Sequence, residues 1–127
     1  MEKQILINSS APKAIGPYSP ALKIGNLVFI SGQLPIDPST GEIVEGGISA
    51  QTEKSLENIK IVMQPFSINL ENIVKVTIFL NNIRDFPIVN EIYSKYFSKE
   101  FPTRSCVEVS SLPKDAQIEI EAIAYSD

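Results

Sequence analysis

The stretch PTRSCVEVSSLPKDAQIEIEAIAY, residues 102–125, contains two strand patterns separated by a proline-bearing turn. Along residues 117–125 the period-two alternation places Ile118, Ile120, Ala122 and Ala124 on one face and Glu119, Glu121, Ile123 and Tyr125 on the other. Such a strand belongs to a sheet with one covered face and one mixed face. Along residues 102–109 the same periodicity sends Arg104, Cys106 and Glu108 one way and Thr103, Ser105, Val107 and Val109 the other. A fixed planar cation, a small soft side chain and a carboxylate on one strand face are costly to bury without partners, so that face needs an explanation.

The rest of the chain supplies the elements around these strands. Residues 3–7 (KQILI) and 27–31 (LVFIS) read as strands, and Gly25-Asn26 suggests a hairpin between residues 21–24 and the second of them. SGQLPIDPSTGE, residues 31–42, reads as a loop. From Ile48 to about Gln64, Ile48, Leu56, Ile59, Val62 and Met63 have helical spacing, and Pro65 ends or kinks that helix. IVKVTIFL, residues 73–80, is a third major strand with Val74, Val76, Ile78 and Leu80 on one face and Lys75, Thr77 and Phe79 on the other. Asp85 is placed to cap a second helix that tolerates Pro87 in its first turn; Phe86, Val89, Ile92, Tyr93, Tyr96 and Phe97 line one side of it to about residue 98. Two helices and several one-faced strands predict an α+β domain with both helices on the same side of a mixed sheet. The second face is then open, and Thr77, Phe79, Arg104, Cys106, Glu119, Ile123 and Tyr125 are expected on it. An oligomer interface containing a polar cleft accounts for that mixture.

Composition narrows the function. Residues 1–127 fit one domain, 43% hydrophobic, with no repeat or low-complexity tract. The 11 Lys and Arg against 15 Asp and Glu give a net charge of −4 with no basic run to follow a phosphate backbone, which argues against nucleic acid. One cysteine forms no internal disulfide, and no leader or apolar spanning segment is evident, so the expectation is a soluble, cytoplasmic protein without membrane contact. The chain has no histidine, which removes the usual general base and the commonest metal ligand. Histidine-type Ser or Cys triads are excluded, a tetrahedral zinc site is unlike this ligand supply, and chemistry without metal or cofactor, or plain binding, remains.

Arg104 presents a rigid donor fork that matches a carboxylate in bidentate geometry, each charge-assisted bond contributing about 1.5–3 kcal/mol. A small carboxylic acid is a natural ligand for it; a structural ion pair with Glu119, Glu121 or Glu108 is the alternative that residue types leave open. Glu119 can hold or deprotonate a water if its strand lies beside that of Arg104, and is otherwise a solvent-facing member of the IEIE alternation. Cys106 is either a small apolar wall of the site or a thiolate nucleophile, with no histidine to activate it. AIGPYSP, residues 14–20, is a stiff loop that holds the Tyr18 phenol, as a ligand contact or as a packing plug. Ser31-Gly32-Gln33 lies where a strand runs into a loop, where glycine allows close backbone approach and Ser31 adds a hydroxyl. Asn90 sits in the second helix, where the ordinary reading is a solvent-facing or core-edge amide.

Taken together, AIGPYS (14–19), FISGQLP (29–35), RDFPIVNEIY (84–93), PTRSCVEV (102–109) and LPKDAQIEIEAIA (112–124) resemble the RidA/YjgF family of enamine/imine deaminases, nearly from end to end. The resemblance implies a chorismate-mutase-like α+β fold, assembled as a homotrimer with the open sheet faces inward and ligand clefts between subunits. It implies metal- and cofactor-independent hydrolysis of 2-aminoacrylate, 2-aminocrotonate and related enamines or imines, released by pyridoxal-phosphate-dependent dehydratases, to 2-keto acids and ammonia. Residue by residue it makes Arg104 the carboxylate-binding arginine and Glu119 the carboxylate that positions the attacking water. Tyr18, Ser31, Gly32, Cys106 and, peripherally, Asn90 become substrate contacts. Pro20 where Gln is frequent, Thr103 where Ala is usual, and Pro65 at a helix end are departures, and none removes a site residue. A non-catalytic sensor of small 2-keto acids or amino acids is the competing reading; an RNA-cleaving or chaperone-like factor is a third, disfavoured by the acidic charge and the missing histidine.

Overall fold

The computed structural model describes residues 1–127. Its centre is one five-stranded sheet, built from β1 (Ala21–Ile24), β2 (Leu27–Gln33), β3 (Ile73–Leu80), β4 (Thr103–Glu108) and β5 (Ile118–Tyr125) in the order β1-β2-β5-β3-β4. All neighbours are antiparallel except β3 and β4. β1 and β2 form the expected hairpin, with Gly25 in the left-handed region at φ 57°. A parallel pair needs a crossover, and α2 (Phe86–Tyr96) supplies it between β3 and β4. The other helix, α1 (Gly47–Met63), stops ahead of Pro65, which opens a short 3-10 turn.

Both helices cover the same face. Leu56, Ile59, Val62 and Met63 of α1 and Val89, Tyr93 of α2 share one core with Val28, Ile30, Val76, Ile78, Leu80, Ile118 and Ile120. The alternation of β5 holds throughout, with Ile118, Ile120, Ala122 and Ala124 buried. No helix is long and apolar enough to cross a membrane.

Four details differ from the sequence reading. Residues 3–7 form no strand and make only a single bridge, Gln4 to Lys23, so one pair of backbone bonds holds them to the sheet edge. The strand read as residues 27–31 runs two residues further, so Gly32 and Gln33 belong to β2 rather than to the following loop. In β3 the register slips between Ile73 and Lys75, which buries Ile73 and turns Val74 out to solvent. Asp85 makes no capping bond; Asn82 does, its side chain accepting the Arg84 N–H at 3.0 Å in a 3-10 turn that leads into α2.

Candidate functional site

The first half of the site grows out of an irregularity in the β2–β5 pairing. Ile30 stands opposite Ala122 and Gln33 opposite Ile120, so β2 takes one residue more than β5, a bulge at Ser31-Gly32. The bulge docks the Tyr18 loop: the Ser31 N–H donates to the Pro20 carbonyl at 2.9 Å and the Ser31 hydroxyl to the Ser19 carbonyl at 2.7 Å. Tyr18 remains 50% exposed beside it, a phenol held by its backbone and free at its face. At Gly32 the approach is close: a Cβ there would stand 2.7 Å from the Glu119 carboxyl carbon and would displace that side chain. Glu119 therefore lies directly over the bulge, half-buried, its pKa raised first by burial and then by the like charge of Glu121. A groove of about 370 Å³ runs alongside, lined by Tyr18, Phe29, Ser31, Thr77, Glu121 and Ile123 among others.

Two buried amides of α1 hold this half together. Asn58 donates to the carbonyls of Leu34 (3.1 Å) and Ile36 (2.9 Å), just after Gly32. Gln51 accepts the Gln117 N–H at 2.8 Å and donates to the Gln117 side chain at 3.1 Å, two residues before Glu119. Neither was identified from the sequence; the available sign was polar residues at i, i+4 and i+7 (Gln51, Ser55, Asn58) on the face of a helix that must be buried.

The second half is built on α2. Phe86, Asn90 and Tyr93 recur at i, i+4 and i+7, one row on the helix, and the Arg104 side chain lies along it. Its guanidinium carbon is 4.7 Å from the Tyr93 ring centroid and 5.3 Å from that of Phe86. One guanidinium nitrogen donates to the Asn90 side-chain oxygen at 2.8 Å, so Asn90 is an arginine partner rather than a bystander. Arg104, Asn90, Tyr93, Ser94, Phe101 and Pro102 line a cavity of about 380 Å³. Cys106, two residues along β4, packs against the core; burial raises its thiol pKa more than the nearby Arg104 lowers it, which disfavours a thiolate nucleophile.

These halves do not meet within one chain. The β3–β4 register pairs Val76 with Arg104 and Ile78 with Cys106, so both point to the helix-covered side, contrary to their expected place on the open face. Glu119 pairs with Phe79 and points to the open side. β3 also stands between β5 and β4, so the strands of Glu119 and Arg104 are not neighbours. The internal ion pairs weighed for Arg104 do not form: Glu108 accepts the Ile83 N–H at 2.9 Å, and the chain's one close charge pair is Lys60–Glu57 at 3.5 Å. Arg104 is left with an exposed, ring-backed fork and no carboxylate.

Residues 8–126 match the family described as Endoribonuclease L-PSP. A RutC family protein of Pyrococcus abyssi is 51% identical over 127 residues, all of both chains. A Salmonella typhimurium protein named 2-iminobutanoate/2-iminopropanoate deaminase is 46% identical over 122 residues, 94% of each chain. Among solved structures, Escherichia coli TdcF with bound serine superimposes with a TM-score of 0.92 at 42% identity, covering 98% of this chain and 99% of that one. With a family model matching residues 8–126 and relatives about half identical over nearly the whole chain, the chain belongs to the RidA/YjgF family.

Proposed function

We propose that this protein hydrolyses small 2-enamine and 2-imine carboxylates, 2-aminoacrylate and 2-aminocrotonate among them, to 2-keto acids and ammonia. The observation that carries the reading is the Arg104 fork, oriented by Asn90 and two rings and matched by no carboxylate of its own chain. A relative named for this imine chemistry and another holding serine, a small α-carboxylate, support it.

The working cleft is composite. Arg104, Asn90 and Cys106 of one copy face Tyr18, Ser31, Gly32 and Glu119 of the next, in a homotrimer whose open sheet faces turn inward. Within that cleft Arg104 clamps the substrate carboxylate and fixes C2 near a water held by Glu119. Water adds to C2 of the imine, the tautomer in which an enamine's N–H proton has moved to C3, as Glu119 takes a proton from the water. Glu119 returns that proton to nitrogen to give the carbinolamine, then takes the new hydroxyl's proton as the C2 carbonyl forms and delivers it to the departing amine, so that the C–N bond breaks and ammonia leaves a keto acid behind. Burial keeps Glu119 above the ordinary carboxylate range, which suits a group that must both accept and return a proton. The natural sources of such short-lived substrates are pyridoxal-phosphate-dependent dehydratases. The bound serine in TdcF gives the sensor reading its one specific support.

The test is keto acid release in a coupled assay that generates 2-aminoacrylate and 2-aminocrotonate with a dehydratase. Wild type accelerates release, and Arg104→Ala and Glu119→Ala each lower it by at least about 100-fold. A folded, fully active Arg104→Ala protein contradicts the assignment. No acceleration by wild type, with keto acid still bound through Arg104, moves the protein to the sensing class.

A further inference from the structure

Tyr93 carries a group that the reaction above does not use. It is 5% exposed, and its hydroxyl is shielded from solvent with no hydrogen-bond partner. An unpaired buried hydroxyl is unfavourable. Having no accessible surface, that oxygen cannot meet a ligand, so the residue's contribution must come from its ring. The ring has one charged neighbour, the Arg104 guanidinium at 4.7 Å, and Phe97 stacks on it at 4.5 Å and 28°, which fixes its tilt.

We propose that Tyr93 is a positioning residue for carboxylate recognition: its ring, with that of Phe86, sets the plane in which Arg104 presents its donor fork. This rests on the reading of Arg104 as the carboxylate clamp. Arg104 is exposed at a sheet edge, with one side-chain hydrogen bond and no ion pair, so without further restraint it samples many rotamers. A bidentate contact requires two N–H groups coplanar with the carboxylate. Asn90 fixes one nitrogen at 2.8 Å, and the ring faces at 4.7 Å and 5.3 Å fix the plane, which leaves the outward edge of the fork for the ligand. Pre-orientation of this kind strengthens ground state and transition state alike, so it acts on KM more than on kcat. The spacing Phe86, Asn90, Tyr93 supplies plane and anchor from a single helix row.

The experiment is calorimetric titration of 2-oxobutanoate into wild type, Tyr93→Phe, Tyr93→Leu, Phe86→Leu and Arg104→Ala, with imine hydrolysis measured on the same proteins. Tyr93→Phe keeps the ring and binds as wild type does. Tyr93→Leu binds about fivefold more weakly, with KM raised to match and kcat within about twofold. Wild-type affinity in Tyr93→Leu overturns the inference, and so does Tyr93→Phe binding as weakly as Tyr93→Leu, which would transfer the role to the hydroxyl. Where Tyr93→Leu fails to fold, Phe86→Leu at a less buried position carries the comparison: about twofold weaker binding supports the ring plane, and unchanged affinity overturns it. Undiminished binding by Arg104→Ala would instead remove the clamp reading itself.

Discussion

The two faces of the sheet are made by alternate residues of the same strands, yet only one is completed within the chain. On the helix side Val28, Ile78, Leu80, Ile118 and Ile120 are all 0% exposed. On the other side Leu27, Phe29 and Tyr125 keep 41%, 39% and 43% of their surface. The two halves of the site divide along the same line, with Arg104 at the margin of the helix face and Glu119 on the open face. Each half carries an unbalanced charge: Glu119 is half-buried beside Glu121, and Arg104 has no counter-ion. The comparison teaches that such imbalances, read together with uncovered apolar surface, are what supports the proposal that a second copy completes the site.

The contrast breaks most visibly in the core. Ile120→Ala, on the finished face, lowers unfolding free energy by about 2–5 kcal/mol in denaturant titration. Phe29→Asp, on the unfinished face, leaves the fold of the chain near wild type by circular dichroism and lowers the assembled mass in light scattering. Equal losses of fold stability in the two variants would erase the distinction between the faces. Next in size is Gly32→Ala. Its new methyl displaces the Glu119 carboxyl, so kcat falls about 100-fold while stability stays within about 1 kcal/mol, because the crowding involves one side chain. An unimpaired kcat would mean that Glu119 has no fixed place over the bulge.

The smallest effect is on pH. Glu119 must be ionised to accept a proton, and its pKa is raised, so activity is present above that pKa and is lost as pH falls through it. The acid limb therefore begins above the usual value of about 4.3. Glu121→Gln removes the second cause of the rise and moves that limb to lower pH. An unmoved limb would detach it from the Glu119 carboxyl.

Much of the fold was legible because burial on one face enforces alternation. β5 is read correctly throughout and β3 from Val76 onward, where apolar residues recur every second position, while the slip at the start of β3 turns Val74 out; α1 and α2 are read correctly where apolar residues recur on helical spacing. β4 was legible as a strand but not in orientation. It is an edge strand with exposed residues on both faces, so no hydrophobic pattern states which side meets the helices; the parallel register with β3 decides that. For the same reason Arg104 and Cys106 were placed on the wrong face. KQILI shows the opposite failure: strand-like residues without a partner long enough to pair with. Of the candidate site residues, Tyr18, Ser31, Gly32 and Glu119 do come together around the bulge, and Asn90 of α2 meets Arg104 of β4. The amides Asn58 and Gln51 were hidden because their value lies in backbone groups far along the chain.

The central claim is that one cleft takes Arg104 from one copy and Glu119 from another. It is tested most directly by mixing two inactive proteins, Arg104→Ala and Glu119→Ala, unfolding them together and letting them reassemble. In any closed ring with random equal mixing, about a quarter of the clefts recover both native residues, so about a quarter of wild-type activity returns. A reassembled mixture of full oligomeric mass that stays as inactive as its parents contradicts the claim.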